Sequence, residues 1–143
     1  MSAKDSYEIF LSEYKKNIKR LGFNTTYHRD LVLKALFYSS SYINAKQIKE
    51  KIKVEYRVDM RLSLVLKILL FLEKINIVSI VAIPEQKDKK YRLLHHAGEG
   101  CFVCKRCGRV EEFHDKNFVL LLQEIAKKHA FKIDIKRIVI FFK

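Results

Sequence analysis

Residues 60–94 read MRLSLVLKILLFLEKINIVSIVAIPEQKDKKYRLL, and the fold turns on this stretch. Its opening half keeps a helical rhythm. Leu62, Val65, Leu66, Ile68, Leu69 and Leu72 make it apolar on most sides, while Ser63, Lys67 and Lys74 recur at i, i+4 and i+11 on one face. That spacing predicts a helix from about Met60 to Ile75, central to the core with a single polar stripe. Ile77 to Ile83 then reads as a strand, Pro84-Glu85-Gln86-Lys87-Asp88 as a turn and Lys89 to Leu94 as a second strand. Together they form a β-hairpin with a basic tip.

Working outward towards the N-terminus, residues 5–20 place Ile9, Phe10, Tyr14 and Ile18 near one helical stripe, with Asp5 or Ser6 as cap and Gly22 as stop. Thr25 or Thr26 caps a second helix, Tyr27 to Tyr38, which turns Leu31, Val32, Ala35 and Leu36 inward and ends at Ser39-Ser40-Ser41. Asn44 caps a third, Ala45 to about Val54, burying Ile48 and Ile52. Helices followed by a hairpin make a winged helix-turn-helix, with the helix at 60–75 as reader and the hairpin as wing. The same element order occurs in modules that bind only protein; the basic wing favours double-stranded DNA.

Towards the C-terminus, His95-His96-Ala97-Gly98-Glu99-Gly100 holds two of the four glycines and is the candidate linker. Beyond it lie strands at Cys101 to Cys104 and Arg109 to Phe113, a helix at about Asn117 to His129 and a strand at Lys132 to Phe142. Such a small β-β-α-β unit buries little core alone. Its long apolar last strand, through Ile133, Ile135, Ile138 and Ile140, invites a partner strand, so a homodimer is expected there. The expected fold is α+β: a winged-helix domain at 1–94, a hinge at 95–100 and a small α/β dimerisation domain at 101–143.

Charge points the same way. Lys and Arg number 29 against 16 acids, a net charge of +13, and residues 1–94 carry 19 basic against 10 acidic residues. Such an excess attracts polyanions through counterion release. The candidate DNA contacts are Arg29, Arg57, Arg61, Ser63, Leu64, Lys67, Lys87, Lys89 and Lys90. Ser63, Leu64 and Lys67 are the base-edge candidates, while Arg57, Arg61 and the wing lysines suit phosphate. No stretch of about 18 uncharged apolar residues occurs, and Asp5, Glu8 and Glu13 stand where a signal peptide needs an apolar run, so no membrane span and a cytoplasmic location are expected. No Gly-rich phosphate loop, nucleophile elbow or acid–base pair argues for an enzyme.

Cys101, Cys104 and Cys107 fall within seven residues. An odd number so close together in a cytosolic chain opposes a disulfide framework and points to metal or thiol chemistry. Cys104 and Cys107 are candidate ligands of a structural zinc, with Cys101, His114 or a histidine of the His95-His96 pair completing the set. The alternatives are reduced thiols kept in a tight turn, and redox sensing, for which Lys105, Arg106 and Arg109 supply nearby positive charge.

Several segments carry a family likeness. Gly22-Phe23-Asn24-Thr25-Thr26-Tyr27-His28-Arg29, followed by Val32-Leu33 and Leu36, resembles the opening of the ferric uptake regulator (Fur) family. Asn44-Ala45-Lys46-Gln47-Ile48 resembles its next helix. Cys104-Lys105-Arg106-Cys107-Gly108-Arg109-Val110-Glu111-Glu112-Phe113 is similar to its Cys-x-x-Cys-Gly-x-Val-x-Glu-Phe turn, and Ile125-Ala126-Lys127-Lys128-His129-Ala130-Phe131 fits the helix that follows. The resemblance spans roughly residues 7–142 and implies a dimeric, metal-responsive repressor with a winged helix, a hinge and an α/β dimerisation domain. The departures bear on metal. Gly98-Glu99-Gly100-Cys101 stands where the family has a His-rich run. Family ligand positions fall on Arg92, Tyr42, Val119 and Lys136, leaving Glu112, and the family's second Cys pair has no counterpart. In the reader helix, Leu64-Val65-Leu66-Lys67 replaces the family's Thr-Val-Tyr-Arg. The resemblance with its departures implies a Fur-type DNA-binding regulator with reduced or no metal-dependent sensing. The other readings are an interaction protein that heterodimerises with a related regulator, and a thiol-based redox sensor.

Overall fold

Side-chain caps set the helix boundaries. In the computed structural model, which describes residues 2–23, 26–98, 100–132 and 138–142, Ser2 and Asp5 form a capping box that opens α1 (Ala3–Arg20). The cap therefore lies ahead of the expected Asp5 or Ser6, with Asp5 serving as its reciprocal partner. Thr26 accepts from the Arg29 N–H to start α2 (Tyr27–Phe37). Asn44 and Gln47 close a second capping box at α3 (Ala45–Tyr56). The expected reader helix is α4 (Leu62–Lys74), followed by β2 (Val78–Ala82) and β3 (Lys89–Leu93). A two-residue strand, β1 (Ile43–Asn44), ahead of α3 pairs antiparallel with β3, giving a three-stranded sheet in the order β1-β3-β2. The sequence pattern does not announce β1.

Tyr7, Phe10, Tyr14 and Ile18 of α1 are buried against α2, where Phe37 meets the rings of Tyr7 at 5.2 Å and Phe10 at 5.4 Å. Val65, Ile68, Leu69 and Leu72 form the buried face of α4, and Tyr91 and Leu93 close the core from β3.

The C-terminal half is a second three-stranded sheet with one helix: β4 (Gly100–Cys104), β5 (Val110–Phe113), α5 (Lys116–Lys128) and β6 (Ile138–Phe142). The strand order is β5-β4-β6, with β6 parallel to β4 and at the sheet edge. Cys101 and Val103 on one face of β4 are fully buried. They pack not on α5 but on Tyr42, Val81 and Ile83 of the N-terminal half. The candidate linker packs closely at its two glycines. A Cβ on Gly98 would fall 2.5 Å from the Phe113 carbonyl oxygen, and one on Gly100 would fall 2.3 Å from the Phe113 ring. Glycine here answers to close approach. His96 is half-buried with its ring 4.8 Å from Phe37, while His95 stays exposed, its ring 5.3 Å from Phe10. His96 reaches the aromatic cluster because α2 ends at Phe37 beside it.

Candidate nucleic-acid interface

The four buried residues of α4 recur at i, i+3, i+4 and i+7, so its other face is left to solvent. That face carries Ser63, Leu66, Lys67, Leu70 and Lys74. The lysines and Ser63 match the polar stripe read from sequence, but the leucines divide differently. Leu64 is half-buried and packs on the core, whereas Leu66 is 45% exposed and Leu70 51%. Leu64 thus faces partly inward while still lining the cleft beside α2, and Leu66 takes the more outward position beside Lys67.

Two clefts flank this face. One, between the start of α2 and α4, is lined by His28, Arg29, Leu64, Lys67 and Lys74. It runs into a surface formed by Arg61, Ser63 and Lys67 with His28 again. The other lies between the start of α3, α4 and the wing, where Lys46, Lys87 and Lys89 surround Leu66. The structure thus brings together Arg29, Arg61, Ser63, Lys67, Lys87 and Lys89 of the expected contacts around one helix. It adds His28, Lys46 and Lys74, whose only sequence signal was position on α2, α3 and α4. Arg29 is held in place by stacking its guanidinium 3.9 Å over the Phe71 ring. Arg57 caps α3 in the left-handed conformation, φ 55°, away from these clefts. Lys90 points elsewhere: its Nζ donates to the Gly108 carbonyl at 2.8 Å, within the C-terminal half. Strand alternation explains this: Lys89 and Tyr91 share one face, and since Tyr91 enters the core, Lys90 turns to the other.

The cysteine turn is built as a tight knuckle. The Gly108 N–H donates to the Cys104 carbonyl at 2.9 Å. Backbone N–H groups of Cys107 and Arg106 point at the Cys104 sulfur and hold its thiol below the ordinary range, helped by the Cys107 side chain and the Arg106 charge. Cys107 is exposed. Cys101 faces the other way, into the seam with Val81 and Ile83, and burial with the Glu112 carboxylate pushes its thiol up to about 11. It is thus no partner for the other two. Among the described residues no three His, Cys, Asp or Glu side chains gather as a metal-binding group. Cys104 and Cys107 fit two positions of a tetrahedral zinc; Cys101 does not fit a third, and His114 lies beside Gly98.

For self-association, Ile138 and Ile140 are half-buried on edge strand β6, while Ile133 and Ile135 lie outside the described residues. A larger apolar surface sits on α5. Only Ala126 is buried there, and Leu120, Leu121 and Ile125 are exposed, as is Phe131 just beyond. Period-3.6 patterning in 116–128 carries that signal, which the emphasis on the last strand overlooked. No helix among the described residues is long and apolar enough to cross a membrane.

The fold has counterparts among known proteins. The profile of the ferric uptake regulator family matches residues 20–141. The ferric uptake regulation protein of Campylobacter jejuni subsp. jejuni is 27% identical over 128 residues, covering 89% of this chain and 81% of that protein. The solved structure of the Helicobacter pylori ferric uptake regulator Fur superposes with a TM-score of 0.76 at 24% identity, covering 96% of this chain and 91% of that one. That of the Pseudomonas aeruginosa ferric uptake regulator with manganese gives 0.74 at 20% identity, covering 90% and 95%. The chain belongs to the ferric uptake regulator family.

Proposed function

We propose that the protein is a homodimeric, DNA-binding transcriptional repressor that works with little or no metal-dependent sensing. The observation that carries this reading is the outward face of α4, where Ser63 and Lys67 stand between two lysine- and arginine-lined clefts. In this reading α4 lies in the major groove, with Lys67 and Ser63 at base edges and Leu66 free to meet thymine methyl groups. Arg29, Arg61, Lys46, Lys87 and Lys89 hold the phosphates on either side. Residues 1–94 form the reading unit and 101–143 the dimerising unit, with 95–100 joining them. The second copy docks on the α5 leucines and the β6 edge, setting two α4 helices at the spacing of two half-sites. The metal-independent part draws on the donor sets: Arg92 and Tyr42 are poor ligands at neutral pH, and the cysteine knuckle supplies two positions of a structural zinc. The ferric uptake regulation proteins among its relatives give no support to pairing with a different regulator.

The test is operator binding at fixed salt with and without a strong chelator. Affinity is expected to be unchanged by chelation and to fall steeply with salt. Arg61→Ala should weaken binding across sequences and lower the log–log salt slope by about one, whereas Lys67→Ala should weaken binding and relax sequence preference. Loss of binding on chelation would remove the metal-independent reading. One observation favours a second reading: the lowered Cys104 thiol beside the exposed Cys107 suits oxidation. Replacing both with Ser discriminates, since a redox sensor then loses its peroxide response.

A further inference from the structure

We propose that Arg92 is a built-in cationic clamp that fixes the wing against the C-terminal sheet, and that the donor set around Glu112 therefore does not fit a divalent cation. Strand β3 has two working faces. Tyr91 and Leu93 enter the helical core, while Lys90 and Arg92, one residue out of phase, turn to the C-terminal half. The Arg92 Nε stands 3.0 Å from Glu112 Oε1 on β5, as a charge contact outside the alignment of a linear hydrogen bond. Its Nη1 donates to the Ser39 carbonyl at 2.9 Å. One guanidinium thus ties the turn after α2, the wing and β5. The side chains are only 11% and 17% exposed, so solvent screens the pair weakly.

The surroundings support the assignment. Lys90 makes a second tie across the junction, to the Gly108 carbonyl. The Tyr42 hydroxyl lies 3.0 Å from the Ser79 hydroxyl, both buried. Tyr42, Val81, Ile83, Cys101 and Val103 seal the seam beside it. A divalent ion seeking Glu112 would meet a guanidinium that keeps its charge at every working pH and a phenol engaged with serine. The donor set rejects the ion, and the clamp needs none. This inference does not depend on DNA being the ligand.

Cys101 reports the seam directly, because it is fully buried between the halves. The rate at which a neutral alkylating reagent labels Cys101 in the full-length native protein, followed by peptide mass spectrometry, measures opening. Arg92→Met is expected to raise that rate at least about tenfold, since breaking a buried pair strands its partner charge. Helix content should stay the same, and the charge-swapped pair R92E/E112R should recover most of the effect. In the wild type, neither EDTA nor excess manganese(II) should change the rate. If Arg92→Met does not fold, Glu112→Gln, which removes the charge and little volume, replaces it, with rates compared per thiolate from the pH dependence of labelling because Glu112 also raises the Cys101 thiol. Wild-type labelling rates in these variants would overturn the proposal, and so would a wild-type rate that rises with EDTA or falls with manganese(II).

Discussion

The two halves of the chain bury their apolar surface by different means. In the N-terminal half, four helices and the inner face of β3 enclose Ile18, Val32, Leu36, Ile48, Ile52, Leu69 and Leu72 without help from the rest of the chain. In the C-terminal half, one face of the sheet is covered by the wing, and its own helix buries Ala126 alone. The first is a self-sufficient core. The second is half of one, sealed on one side by the N-terminal half, with Leu120, Leu121 and Ile125 of α5 exposed, the face on which the proposed second copy would dock. The difference teaches that stability and assembly are separable here, and mutations in the two halves should register in different measurements.

The largest effect is expected from a matched pair of truncations. Leu69→Ala should lower unfolding stability by about 2–5 kcal/mol, because it opens a cavity in a fully buried site. Leu121→Ala, on an exposed position of α5, should change the stability of the dilute monomer by about 0.5 kcal/mol or less and weaken self-association instead. Thermal unfolding and sedimentation across a concentration series check both. A Leu121→Ala that unfolds as readily as Leu69→Ala would erase the distinction between the halves. Next comes the joint itself. Gly98→Ala forces a methyl group against the Phe113 carbonyl and should cost about 1–3 kcal/mol, the range for overpacking. A flexible linker would accept the methyl without loss, so denaturant unfolding decides whether the segment is packed or free.

The smallest effect is a pH dependence at the same joint. Burial holds His96 below its ordinary value of 6.5, with His95 and Arg92 adding to the shift against a hydrogen bond with the Phe37 backbone. A histidine lowered in the folded state is neutral there while the unfolded chain already binds a proton. The destabilisation therefore sets in as pH falls below about 6.5, grows towards the folded value and is absent above neutrality. Replacing His96 with Asn should flatten the unfolding midpoint between pH 7 and pH 5; an unchanged slope would place the titration elsewhere.

Local signals made most of the helices legible. Thr26 and Asn44 announce their caps through side chains a few residues from the groups they satisfy, and the spacing of Val65, Ile68, Leu69 and Leu72 marks the inner face of α4. What stayed hidden depends on distance in the chain. A two-residue strand such as β1 is too short to show a period. Leu64 and Leu66 are chemically alike, and only the angle at which α4 meets α2 and the wing decides which faces out. The partners of Lys90 and Arg92 lie 18 and 20 residues ahead, so a stretch that reads as a basic wing conceals two cations already engaged. Glycines at 98 and 100 look the same in sequence whether they serve flexibility or close contact.

The alternation of β3 carries one more consequence, for accuracy of folding. A slip of one residue in the hairpin would send Lys90 and Arg92 into the helical core and Tyr91 and Leu93 to the cysteine turn. Each face thus proofreads the other. A wing paired out of register would be disfavoured both by the helices and by the C-terminal sheet, which would find no cation to receive Glu112. The register is thus specified twice within four consecutive residues, Lys90-Tyr91-Arg92-Leu93.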